Sequence, residues 1–403
     1  MSKSRNFGFV IVGGGILGSA LAALAAGAGM EPLVLRRADV SSPQADTLRN
    51  QGWLQSGIMY PISHFSSEEA YRVFADKTYF AGRELLRAYG VPVPNGGGLL
   101  GVSGEFHLGQ LARKRELLRL SDDEFGQLEA AEARRLMGPH YQEGSSYYRI
   151  PDGPFDEAAV LEHLRFDASE HGAMFCEVDA PVRLERSSDT VKVHFQDREI
   201  VTSTVVVTAG VGSFGLLAQC GIALNGELQR TPLVVGDAPV DMPAPIIVDL
   251  GLGFSAVQHP RGAALPAAVV MGTRTKSRHE GVAERIVSLA DQDQFSRGVP
   301  PSFQPSLLNG RYTAGYEVIP KRDTGVSAYE PWIEVDGPVI FSSPGRATVA
   351  GLAARSLFDA VRARWSSQRH GRTSSVDISD CSAWDRQIAM HYMPCYTYND
   401  AEV

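Results

Sequence analysis

The chain has only four cysteines, Cys176, Cys220, Cys381 and Cys395, and no CxxC pair among them. Their spacing argues against a disulfide framework and a thiolate metal site, and the ten histidines are too scattered to suggest ligands, so no metal is expected. A long run of one charge sign is also missing. Lys and Arg number 38 against 46 Asp and Glu, a net charge of −8, which speaks against nucleic acid or an anionic membrane as partner. No transmembrane segment is expected. Lys3 and Arg5 stand before an apolar run as in a signal peptide, but the glycines and second strand that follow fit a nucleotide fold better. The protein is therefore expected to be soluble and cytoplasmic.

What is present begins at Phe9. The segment to Arg37 reads as a strand, a glycine turn, an alanine-rich helix and a second strand. Gly13, Gly15 and Gly18 match GxGxxG. The first glycine serves the tight turn, the second lets pyrophosphate approach the backbone, and the third lets the helix pack on the strand. The unpaired N–H groups of the helix N-terminus, at Ile16 and Leu17, then face the phosphates. This context points to a dinucleotide cofactor.

With 403 residues and 44% hydrophobic content the chain can bury a sizeable core; its length allows two or three domains, and large α/β enzymes often interleave two over such a span. Ser67 to Tyr89 has helical spacing, with Tyr71, Phe74, Leu85 and Leu86 apolar, and Gly109 to Gly138 reads as a charged helical surface. Phe155 to Gly172 reads as a helix opened by Asp152, Gly153 and Pro154. Three strands follow, at Met174 to Val178, Val191 to Phe195 and Ile200 to Thr208. Leu228 to Thr273 reads as a separate antiparallel sheet bounding a substrate cavity. Val339 to Ser343 reads as a buried strand, followed by SPGRATVAG and a helix to about Trp365. The tail 366–403 has no assignable role.

Three motifs in this order, the N-terminal fingerprint, VVVTAGVGS at Val205 to Ser213 and FSSPGRATVAG at Phe341 to Gly351, carry a resemblance. The chain resembles the FAD-dependent oxidoreductases of the D-amino-acid oxidase superfamily. The resemblance implies an α/β fold: a Rossmann-like, glutathione-reductase-like FAD-binding domain (1–90, 150–220 and 311–365) interleaved with an antiparallel-sheet substrate domain (91–149 and 221–310). In that family a Thr-Ala-Gly turn lies against FAD, here Ala209 and Gly210, and a late glycine loop cradles the isoalloxazine, here Pro344, Gly345, Arg346, Ala347 and Thr348.

In motif pattern the chain most resembles L-2-hydroxyglutarate dehydrogenase-like members. Their Arg-Asn-Ser-Gly stretch, followed by Ile-His-Ala-Gly and a tyrosine beside the flavin, is matched by RNQGWLQSGIMY at Arg49, Asn50, Gly52, Gly57 and Tyr60. Their Gly-Val-His segment is matched by Ala256, Val257 and His259, with Gln258 inserted. The resemblance adds Thr47, Gln51 and Val182 to the cofactor-binding set.

Two departures from the family pattern matter. Where the family places a ribose-binding glutamate stands Arg36, with Arg37 beside it. An arginine there either pairs with a ribose 2′-phosphate, as for NADP, or stacks on adenine. FAD is favoured, because the two later motifs are flavin features. Gln55 occupies the place of the family's histidine, and an amide cannot act as a general base. His259 is the first replacement candidate and His64 the second.

A substrate carboxylate, expected for a small 2-hydroxy or 2-amino acid, would need a cationic anchor from Arg311, Arg274 or Lys321, with Tyr312 or Tyr316 as hydrogen-bond partner. The reaction expected is hydride removal to flavin N5, the protein supplying orientation and charge. An oxidase of amines or N-substituted amino acids, an NADPH-using flavin monooxygenase and a non-catalytic flavoprotein stay open as alternatives.

Overall fold

The computed structural model describes residues 4–37, 52–80, 82–83, 97–239, 242–259, 268–272, 277–279, 287–321, 324, 326–327, 329–343, 349–367, 376–377 and 381–382. The chain divides into two compact units. The first comprises Met1–Thr47, Ala158–Glu227 and Glu317–Tyr392, the second Leu48–Glu157, Leu228–Tyr316 and Met393–Val403. Residues 48–90 thus group with the second unit, where the sequence had joined them to the first. Local pairing explains the difference: Trp53–Leu54 ladders with Gly153–Pro154, and the helix Glu68–Phe74 packs on the helix Glu105–Leu118.

The first unit is built on a seven-stranded sheet in the order Trp332–Asp336, Val339–Ser343, Val205–Val207, Val10–Val12, Leu33–Arg37, Met174–Val178, Cys381–Ser382. The five inner strands run parallel and the two edge strands antiparallel. Every residue of the strands Val10–Val12, Val205–Val207 and Val339–Ser343 is buried, as a parallel sheet covered on both faces requires. The helix Ile16–Gly27 packs on the helix Ala350–Ser367. Nine of its twelve residues are buried, five of them alanines whose short side chains allow close approach.

The strand expected over Ile200 to Thr208 is two strands. The Thr202 hydroxyl donates to the Thr204 carbonyl and accepts from the Thr204 N–H, which turns the chain between them. Arg198–Thr202 then joins Val191–Phe195 and Arg183–Arg186 in a separate antiparallel sheet, while Val205–Val207 enters the parallel one. Part of the tail is also placed, Val376–Asp377 pairing with Ser4–Arg5 and Cys381–Ser382 with Met174–Val178.

The second unit is built on an eight-stranded sheet, with Ser277–His279, Gly226–Asp237, Ala268–Gly272, Phe254–His259, Ile246–Asp249, Gly98–Val102 and Ser146–Ile150 in that order and Arg311–Pro320 pairing with Gly226–Asp237. Along the row from Ser277–His279 to Ser146–Ile150 the neighbours are antiparallel as expected, except that Ile246–Asp249 runs parallel to Gly98–Val102. One face carries Leu99, Val234, Ile247, Ala256 and Met271 into an apolar core closed by Met137, Phe295, Phe303 and Leu307. Side chains alternate along a strand, so His259 lies on the face opposite Ala256. The charged stretch 109–138 forms two helices, Glu105–Leu118 and Ala130–Met137, the first ending at Arg119 in the left-handed region. Leu85 and Leu86 lie outside the described residues.

Candidate active site

In the first unit Gly13 and Gly18 have separate steric reasons. Gly13 has φ +121°, and a Cβ there would stand 2.5 Å from the Thr208 carbonyl carbon; one on Gly18 would stand 1.9 Å from the Gly13 oxygen. The turn is tied into the sheet by Gly13 N–H to Leu35 O (2.9 Å), Thr208 N–H to Val12 O (2.9 Å) and the Thr208 hydroxyl to Gly13 O (2.9 Å). The helix begins at Ile16 with Gly15 as N-cap, and no side chain caps it and no acid occupies its first turn. Its first N–H groups thus keep the positive end of the helix dipole for an anion. Leu17 is buried and Ile16 half-buried.

Arg165, on the helix Glu157–Glu170, was not foreseen. It is buried and donates from Nη2 to the Gly14 carbonyl at 2.6 Å, and the Ser19 hydroxyl donates to the same oxygen at 3.2 Å. Nothing local in the sequence links an arginine on that helix to the glycine turn.

Arg36 is buried, ion-paired with Glu177 on the neighbouring strand, its Cβ pressed against Gly14. Its charge is thus engaged within the sheet, which removes the need for a 2′-phosphate to explain it. Arg37 is exposed at the strand end. Ala209 is half-buried and Gly210 turns with φ +54°. Val182 is half-buried just before the strand Arg183–Arg186 of the small antiparallel sheet.

Ser342 lies at the C-terminal end of the parallel strand Val339–Ser343 and Ser213 opens the helix that follows Val205–Val207, and the buried hydroxyls of both have no hydrogen-bond partner among the described residues. Ligands of open α/β sheets bind outside those strand ends. The side-chain-free glycine turn, the uncapped helix and the two hydroxyls together fit an ADP-bearing cofactor such as FAD. Thr47, Arg49, Asn50, Gln51 and Pro344, Gly345, Arg346, Ala347 and Thr348 lie outside the described residues.

In the second unit the site is organised around Gly52 and Asp152. Asp152 is wholly buried. It accepts from Trp53 Nε1 (2.9 Å), from the Ser56 N–H (3.2 Å) and from the Ser56 hydroxyl. Burial pushes its carboxyl up to about 6, against those hydrogen bonds. Asp152 is therefore a clamp on residues 53–56 rather than a helix opener, and Gly153 and Pro154 pair with Leu54 and Trp53.

The clamp fixes the backbone on both sides of Gln55, which is half-buried. The following turn is held by Tyr71, whose hydroxyl donates to Gly57 O (3.1 Å), and by Lys114, which donates to Ile58 O (2.9 Å). Lys114 is buried, which brings its ammonium down to about 8. Tyr60 is buried edge-on to Phe74, ring centroids 5.8 Å apart.

Gly52 has φ +57°, and a Cβ there would lie 2.3 Å from His259 Cε1 and 2.7 and 2.8 Å from the two carboxylate oxygens of Glu157. The structure thus brings His259 and Glu157 together over one glycine, both buried. Burial holds the Glu157 carboxyl well above the usual range, opposed by N–H donation from its own backbone and from Gly52. From the sequence Glu157 is only an acid in the first turn of a helix.

The anchor candidates separate. Arg311 is exposed and Tyr316 buried, both on the strand Arg311–Pro320. Tyr312 packs against the apolar core, edge-on to Phe295 at 6.0 Å. Lys321 donates its backbone N–H to Asn225 O in the first unit. Arg274 is outside the described residues, and His64 is exposed on the turn Ile62–His64.

A family model described as FAD dependent oxidoreductase matches residues 9–340. Among solved structures, the chain is similar to iminodiacetate oxidase from Chelativorans sp. BNC1, with 18% identity and TM-score 0.68 over 88% of this chain and 95% of that one. Glycine oxidase from Geobacillus kaustophilus has 17% identity and TM-score 0.68 over 91% and 100%. L-proline dehydrogenase from P. horikoshii has 17% identity and TM-score 0.68 over 88% and 92%. No curated protein sequence matches the chain. Among the described residues no helix is long and apolar enough to cross a membrane.

Proposed function

Since the chain belongs to the FAD-dependent oxidoreductase family, we propose that it oxidises a small amino-acid-like amine at the carbon bearing nitrogen, with His259 taking the proton that the nitrogen releases. The observation that carries this reading is Gln55. Its backbone is fixed on both sides by the Asp152 clamp, and its amide cannot accept a substrate proton. An ammonium is a far stronger acid than an alcohol, so an amine substrate needs only a modest acceptor, for which a neutral imidazole is suited. The solved relatives support the same class, since iminodiacetate, glycine and proline all carry nitrogen next to a carbon that bears a carboxylate.

When bound, FAD supplies the hydride-accepting chemistry. The chain's residues bind, orient and deprotonate. The glycine turn and helix N-terminus of the first unit hold the pyrophosphate, Arg165 keeping the Gly14 carbonyl in place. In the second unit Tyr60 and Gln55 shape and orient, His259 holds the proton, and Arg311 with Tyr316 are the candidates for anchoring the carboxylate.

A second reading, oxidation of a 2-hydroxy acid, is favoured by the burial of Glu157 beside His259, since an imidazole so supported can remove a less acidic proton. The test is anaerobic mixing of the FAD-loaded protein with glycine, L-proline, iminodiacetate, lactate and 2-hydroxyglutarate, following flavin absorbance. Bleaching by one or more of the amines and by neither hydroxy acid is expected. Bleaching by a hydroxy acid alone overturns the amine reading.

A further inference from the structure

Glu157 and His259 come from distant parts of the chain, one opening the helix Glu157–Glu170 and the other closing the strand Phe254–His259. Each is 2% exposed. Both side chains close on the space that Gly52 leaves by lacking a Cβ. The carboxyl cannot easily swing away, because the Gly52 N–H donates to it while the Gly52 carbonyl accepts from the Phe155 N–H at 2.8 Å. One glycine thus grips the 155–157 segment at two points and leaves a space that the carboxyl and the imidazole both border.

A helix-terminal glutamate gains from the dipole when exposed to water. Burial removes most of that reason for a carboxylate here, since an ionised carboxyl out of water is costly unless something compensates it. An imidazole against it is such a partner. We propose that Glu157 is a positioning residue for His259: the two side chains hold protons as one coupled pair, the carboxyl orienting the imidazole and setting the pH at which it accepts a proton. This rests on the reading of His259 as the proton acceptor.

The pair has three protonation states, with two, one or no protons, and net charges of +1, 0 and −1. Burial favours the neutral, one-proton state. The pair therefore accepts a substrate proton once pH has brought it to −1, where the step to 0 is easy, whereas without the carboxyl the same step leaves an isolated imidazolium out of water. The carboxyl therefore raises the proton affinity of the imidazole. The neighbouring Asp156, which is exposed, adds negative charge in the same direction, while the N–H groups of Gly52 and Glu157 act against it.

The deciding experiment is a pH titration of His259 by ¹⁵N-histidine NMR in the FAD-loaded protein without substrate, its signal assigned by loss in His259→Asn. In Glu157→Gln the imidazole midpoint is expected to move to lower pH by at least one unit, a tenfold or greater loss of proton affinity. The acid limb of flavin bleaching by L-proline, or by glycine if that bleaches faster, is expected to move with it. Glu157→Asp keeps a carboxyl, and its midpoint is expected between the two; it also carries the test if the glutamine variant does not fold.

A midpoint unchanged in both variants overturns the pair. Bleaching at the wild-type rate in His259→Asn, together with a shifted midpoint in Glu157→Gln, ends the proton-acceptor reading and leaves the pair standing.

Discussion

Asp152 illustrates how one residue can shape a site it does not enter. Its carboxyl takes three donors from Trp53 and Ser56 yet is so deeply buried that its folded value is about 6, against 3.8 for the ordinary group. The folded protein therefore binds more protons than the unfolded chain between those two values, so stability falls as pH rises from about 4 to about 6 and is level above. A shift of about two units corresponds to roughly 3 kcal/mol. In Asp152→Asn that fall is expected to disappear. At pH 4, where the wild-type carboxyl is protonated, the variant is expected to be about 1–2 kcal/mol less stable, because its amide nitrogen must face a donor that the carboxyl oxygen accepted, and it is expected to overtake the wild type as pH rises past about 6. Urea unfolding at a series of pH values checks this, and an equal slope in both proteins would show that Asp152 is not the group responsible.

Residue-scale chemistry was legible where it was local. Gly13, Gly15 and Gly18 declare themselves within six positions of sequence, and each of their roles is one a turn dictates. Glu157 and Asp152 did not, because what defines them is burial beside residues about a hundred positions away, Gly52 and Trp53. Both stood in the sequence as ordinary polar residues opening a helix. The partner of Arg36 was hidden for the same reason, Glu177 lying on a strand that is adjacent only in the folded sheet.

Among elements, the helix Glu157–Glu170 acts on the glycine turn as well as carrying Glu157. Its Arg165 reaches the Gly14 carbonyl, so the turn that receives the cofactor is braced from a helix far along the chain. In Arg165→Met the apolar stem remains and the charged hydrogen bond is lost, leaving Gly14 O the weaker side-chain donor Ser19 among the described residues. A charge-assisted hydrogen bond contributes about 1.5–3 kcal/mol. FAD is therefore expected to bind roughly tenfold more weakly, or worse, in a fluorescence titration of the apoprotein, and an unchanged affinity would mean the turn holds its shape without the arginine.

The apolar elements themselves were read well, because Val10–Val12 and Val339–Ser343 announce buried strands by composition. Their allocation to sheets was not readable. The strand Met174–Val178 and the strand Val191–Phe195 look alike in sequence, yet one is a parallel core strand and the other belongs to a hairpin sheet with polar residues on one side.

At the scale of the whole molecule, the chain passes between its two units at 47/48, 157/158, 227/228 and 316/317. Two of those passages fall inside strands, Gly226–Asp237 and Arg311–Pro320, which pair with each other. Because these paired strands run on across the boundary, unfolding of one unit is expected to propagate through them into the other. Trp332 reports on the first unit and Trp53 on the second, both buried. Versions of the protein keeping one of these tryptophans, the others replaced by phenylalanine, should therefore unfold at the same denaturant concentration. FAD at a hundredfold excess over its dissociation constant adds about 2.7 kcal/mol to the folded state. Although the glycine turn lies in the first unit, that increment should raise the Trp53 midpoint as much as the Trp332 midpoint. A Trp53 transition that ignores FAD while the Trp332 transition moves would instead mean that the shared strands break cleanly at the boundary, and that each unit stands on its own core.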